Sequence, residues 1–279
     1  MWIAGVLLHP FSVAAAVFSD LCKETERKIH MNNFEETKKN VAKKINKFRE
    51  QKGMTIEDLA GDVGITTTAL ANILKGNANM KTSTLVAVCV ALEVFPGELL
   101  PKPSFFSEWE DRINKMEHQF EMVSTGSLEK VFDVVLAALD AFVKTKVSGG
   151  YVVQMRIEKQ KEGTQASAIQ EDKKYIAGRI DMIRAYKEIS IKGLASDAGM
   201  SEGAIDNILR GKSDMRMSSL IDLCKALAVF PEEVLPQLVF LSKGTKRFGS
   251  VKNRLLAVPS NLKETAFTVV AAILDEYTK

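Results

Sequence analysis

Apolar and polar positions alternate with helical spacing through most of the chain. Val41, Ile45 and Phe48 share one face, while Lys43, Lys44, Lys47 and Arg49 point away from it. This predicts a helix over about 41–52, closed by Gly53. Thr55 offers its hydroxyl to the orphan amides of the next helix, with Asp58 three residues on, as in a capping box. A second helix over about 56–62 follows. Gly64 makes a turn that needs a left-handed residue. Thr66 caps a third helix that ends at Gly76. A fourth runs over about 83–92, and Pro96 forces the next break. Further on, Leu128, Val131, Phe132, Val135, Leu136, Leu139, Phe142 and Val143 recur at spacings of three and four. They predict an amphipathic terminal helix.

The same pattern then repeats. Val41–Pro101 aligns without a gap with Ile176–Pro236 at a constant offset of 135 residues. Identical pairs include Ile45/Ile180, Leu59/Leu194, Ala60/Ala195, Gly64/Gly199, Asn72/Asn207, Gly76/Gly211 and Cys89/Cys224, and the run VFP at 94–96 and 229–231. The period is too long for a solenoid, so this is a duplicated domain. In the second copy Ser190 and Ser201 keep the helix caps, but Gly193 replaces the acid of the first capping box. The terminal stripe recurs as Leu262, Phe267, Val270, Ile273, Leu274 and Tyr277. Ser148-Gly149-Gly150 breaks the helical pattern between the copies, and residues 151–157 alternate enough for a short strand.

The segments TIEDLAGDVGITTTALANILKG (55–76) and SIKGLASDAGMSEGAIDNILRG (190–211) resemble the Cro/repressor-type, or XRE-type, helix-turn-helix family. With their flanking helices they cover about sixty residues in each copy. The resemblance implies an all-α chain of two tandem lambda-repressor-like helix-turn-helix domains, each followed by an amphipathic terminal helix. It implies that the third helix lies in the major groove of double-stranded DNA with its first residues at base edges. Carried over residue by residue, the DNA-binding set is Thr66, Thr67, Thr68, Asn72, Lys75 and Asn77 in the first copy. In the second it is Ser201, Glu202, Gly203, Asn207, Arg210 and Lys212. Asn77 and Asn79, or Lys212, would lie near phosphate. Threonine suits several bases, and asparagine can bond adenine in a bidentate way. For Asn72 and Asn207 a local bond at the helix end is an equal alternative.

Two departures from the family pattern matter. Both copies have isoleucine, Ile56 and Ile191, where the family often places glutamine at the start of helix two. An aliphatic side chain there packs rather than touching backbone phosphate. Glu202 and Asp206 put acids on the second reading face, where phosphates repel them. The second copy is therefore the weaker candidate for DNA.

The remaining features read as structural. Cys89 and Cys224 read as small core residues and His118 as solvent-facing. The terminal stripes 128–143 and 262–277 are candidates for packing on their own domains, for pairing within the chain or for a homodimer. The basic run 242–254 reads as a solvated face, with a phosphate-tracking arm as the alternative.

Composition narrows the function classes without choosing one. The chain has 279 residues, 46% hydrophobic and 26% charged, with a net charge of +3. Wholesale disorder and a polytopic membrane protein are excluded. Three cysteines cannot build a disulfide framework and fit a reduced, cytoplasmic setting. Three histidines, none at metal-ligand spacing, argue against a zinc site or a catalytic triad, so neither metal, cofactor nor enzyme activity is expected. No residues suggest a small-molecule ligand. Residues 2–18 are largely apolar. They read as an extension ahead of a working start at Met31, as a short packed helix, or as an anchor or signal.

The organisation expected is an extension over 1–40, helix-turn-helix domains over 41–101 and 176–236, helical extensions over 102–147 and 237–279, and a linker over 148–175. The expected function is a sequence-specific transcriptional regulator that binds double-stranded DNA with its two units as a pseudo-dimer. The alternative is a protein-interaction module, antitoxin-like or an assembly protein, in which at least the second unit does not bind DNA.

Overall fold

The computed structural model describes residues 34–103, 107–144, 165–236, 238 and 247–278. The apolar segment at 2–18, Met31, the alternating stretch at 151–157 and residues 242–246 of the basic run lie outside them.

The first unit begins with helix α1 through 34–51. It continues with α2 (Ile56–Val63), α3 (Thr67–Leu74), α4 (Thr82–Leu92) and α5 (Pro96–Leu99). Helices α6 (Ser107–Met122) and α7 (Thr125–Lys144) extend it. The second unit repeats the order as α8 (Gln165–Tyr186), α9 (Ile191–Asp197), α10 (Glu202–Leu209), α11 (Met217–Leu227) and α12 (Pro231–Val234). It closes with α13 (Phe248–Ala257), a 3-10 turn at Ser260–Leu262 and α14 (Lys263–Tyr277). Helix α8 starts inside the stretch read as linker, because the polar run ahead of Ile176 continues the helix without a break. None of these helices is long and apolar enough to cross a membrane.

The caps form as the side chains dictate. Thr55 Oγ1 accepts from the Asp58 amide at 3.0 Å, and Asp58 Oδ2 accepts from the Thr55 amide at 2.9 Å. Those bonds from the Thr55 hydroxyl and amide hold the Asp58 carboxyl below its usual range. Thr66 and Ser201 accept from Ala69 and Ala204 at the heads of α3 and α10. Gly64 takes φ 72° at the end of α2.

The two units share one core. Leu59, Leu70, Leu85 and Val88 of the first copy and Leu194, Ile205, Leu220 and Leu223 of the second belong to a single buried cluster. Between the units Lys81 and Arg216 form an antiparallel β-bridge. The Thr82 amide donates to the Met215 carbonyl at 2.8 Å, and the Met217 amide donates to the Met80 carbonyl at 2.9 Å. Each bond is the image of the other under the repeat offset. Two side-chain pairs follow the same rule. Asn79 Nδ2 donates to Ser218 Oγ at 2.8 Å, and Ser83 Oγ donates to Asp214 Oδ2 at 2.7 Å. The joint is thus a pseudo-two-fold, with Lys81 and Arg216 at its axis.

A second core lies beyond it. Helix α7 packs against both α13 and α14, so the two terminal stripes meet. Phe132, Val135 and Leu139 are buried with Val251, Leu255, Phe267 and Val270. Phe120 stacks on Phe132 with ring centroids 4.5 Å apart. Arg247 pairs with Glu129 and Asp133, and Arg112 with Glu264 at 2.7 Å. Cys89 and Cys224 are buried, and burial pushes both thiols up.

Candidate nucleic-acid interface

Helices α3 and α10, the candidate reading helices, are each held by a few apolar residues that leave the outer face bare. Leu70 and Ile73 of α3 are buried against the unit, as are Ile205 and Ile208 of α10. A helix this short has one wall for the core and one for solvent. Thr66, Thr67, Thr68, Asn72, Lys75 and Asn77 are all exposed. So are Ser201, Glu202, Gly203, Asn207, Arg210 and Lys212. All six residues expected from each copy therefore reach solvent, and within each copy they gather on and around a single short helix.

The loops after these helices are tightly tied. Gly76 takes φ 72°, and a Cβ there would meet Lys39 Cα at 3.1 Å. The left-handed turn and the close approach of α1 together require glycine. The Asn77 amide donates to the Asn72 carbonyl at 2.9 Å, and the Lys212 amide donates to the Asn207 carbonyl at 3.0 Å. These bonds at the helix ends run through the asparagine backbones, and both asparagine side chains stand exposed.

The surfaces of α3 and α10 differ in charge. Thr67 and Thr68 are neutral, whereas Glu202 opens α10 with an acid. Asp206 is paired with Arg210 at 2.9 Å, which neutralises that acid and occupies the guanidinium. Ile56 and Ile191 are half-buried against the core, so the first position of helix two packs.

Three residues near this face have other work. Asn79, expected near phosphate, is held in the joint between the units: its Oδ1 accepts from the Ser218 amide at 3.3 Å. Lys44, expected in solvent, is half-buried and donates to the Leu99 carbonyl at 3.2 Å. Burial, then nearby Lys102, pulls its pKa down. Arg49 donates to the Met54 carbonyl at 2.6 Å and ties α1 to the α2 cap. His118 is exposed with Nδ1 3.2 Å from Glu121. The joint residues Asn79, Ser83, Asp214 and Ser218 were not legible in the sequence as a site. Their partners lie more than 130 residues away, and short polar side chains leave no periodic signal.

A family model described as the Cro/C1-type HTH DNA-binding domain matches residues 44–101 and again residues 179–236. Comparison with curated proteins and with solved structures gives no match.

Proposed function

We propose that this chain of two tandem Cro/C1-type helix-turn-helix DNA-binding domains is a cytoplasmic, sequence-specific transcriptional regulator that reads one duplex site with both units. The observation that carries the reading is a pair of exposed helix faces, α3 and α10, on units joined about a pseudo-two-fold axis. DNA readers of this type work as symmetric pairs on half-sites one helical turn apart, about 34 Å. A single chain would supply the pair. It would act by occupying its site, with the terminal helices fixing the two units together. Because Thr67 and Thr68 stand opposite Glu202 and Gly203 in the repeat, the preferred site is asymmetric.

A second reading rests on Glu202. An acid at the head of a groove-entering helix faces phosphate repulsion, which favours a protein partner for the second unit. Mobility shift with a randomised duplex pool, followed by a salt titration, separates the two. DNA binding through lysines gives a falling affinity, with a slope of about −0.9 per neutralised phosphate, and Lys75→Ala reduces that slope by about one. An affinity independent of salt favours the protein-interaction reading.

A further inference from the structure

The joint is symmetric in its backbone bonds but not in all of its side chains, and one repeat-related pair differs in both size and charge. Gly97 on α5 and Glu232 on α12 hold the same place in the two copies, 135 residues apart. They face each other across the joint. A methyl carbon built on Gly97 would overlap Glu232 Oε1. The carboxylate thus fills the space left by the missing side chain. Glu232 is only 4% exposed, and it lines, with Gly97, Glu98 and Lys252, a cavity of about 500 Å³ beside the joint. Around it stand Glu233 beside it on α12, Lys252 on α13 and Lys263 on α14.

Like units could not repeat this arrangement. Two second units would bring Glu232 against its own image, setting two buried carboxylates side by side, a costly pairing of like charges. Two first units would set glycine against glycine and enlarge the cavity already present there, which also destabilises a packed interface. We propose that Gly97 and Glu232 form a size-and-charge key that restricts the joint to one first unit paired with one second unit. The partner that the interface accepts is therefore the unlike unit, which the same chain carries. The key is independent of whether the protein binds DNA, and it is tested without DNA.

The test is thermal denaturation of the full chain in a cycle of variants. Gly97→Ala should lower the midpoint in the parent, where the new methyl meets the carboxylate. In an Glu232→Ala background the same change should leave the midpoint unchanged or raise it, since alanine favours the helix. Equal lowering in both backgrounds overturns the key, as does a parent that tolerates Gly97→Ala.

A second cycle tests charge and direction. Gly97→Glu reproduces the facing of two second units, and Glu232→Gly that of two first units. Each should melt below the parent. The exchanged chain G97E/E232G, with one glutamate again opposite one glycine, should melt above G97E. An exchanged chain that melts below both single variants overturns the proposal. If G97E fails to fold, the alanine cycle decides alone.

Discussion

Thr67 and Glu202 hold the same position, first in α3 and α10, and differ by a full charge. On the proposed function the first unit carries most of the base contact. Thr68→Glu would set a carboxylate among phosphates and should weaken binding to a selected duplex at least tenfold, about 1.4 kcal/mol. Glu202→Ala should change affinity less than about threefold, or tighten it, because it removes a repulsion. Fluorescence anisotropy at fixed salt measures both; the reverse order would make the second unit the main reader. Single residues were legible in the sequence where their chemistry is local. Thr55, Thr66, Ser190 and Ser201 cap the helices they were expected to cap, and Gly64 and Gly199 take positive φ at the turns. Lys44 and Asn79 were misread because their bonds reach across the fold.

At the scale of elements, the stripe on α7 gave away the helix but not everything it touches. A spacing of three and four says that one face is covered; it does not say by what. Phe132 stacks on Phe120 of α6 and lies under Arg247, beside α13. Phe132→Ala should cost about 3–5 kcal/mol. Hydrogen exchange should show protection lost in α13 and α14 as well as in α6 and α7, since the four share one core. Loss confined to α6 and α7 would mean that the terminal helices are not one cooperative body.

Helix α12 carries a further consequence. Burial pushes the Glu232 carboxyl from 4.5 up to about 7, against the pull of Lys263 and Lys252. The folded protein therefore holds a proton that the unfolded chain has released, and stability falls as pH rises between those two values. At about 1.4 kcal/mol per unit the full effect is of order 3 kcal/mol. Glu232→Gln keeps the shape and removes the charge. Denaturant melts from pH 4 to pH 8 should show a shallower decline for Glu232→Gln than for the parent. Parallel curves would mean that another group dominates that window.

At the scale of the whole molecule, the repeat was plain in the sequence and the joint was not. A constant offset needs only matching residues. The hydrogen bonds of the joint come from backbone amides at 82 and 217 and from short polar side chains such as Asn79 and Ser83, which have no pattern to read. On the proposed function the joint decides how the molecule meets DNA. Its reciprocal bonds and the core that runs through it fix the two units relative to each other, whereas two domains on a loose tether could reach half-sites at many spacings. The protein should therefore protect two segments of one face of the duplex, about 10 base pairs apart from centre to centre. Inserting about 5 base pairs between them turns one half-site to the far side of the helix. Affinity should then fall to that of a single half-site, a loss of about 100-fold or more by the arithmetic of linked sites. Inserting about 10 base pairs restores the facing but doubles the separation. A fixed joint cannot follow it, so affinity should stay low. Recovery at 10 base pairs, measured by footprinting and titration on the same set of duplexes, would show that the units swing apart on DNA and that the joint opens there.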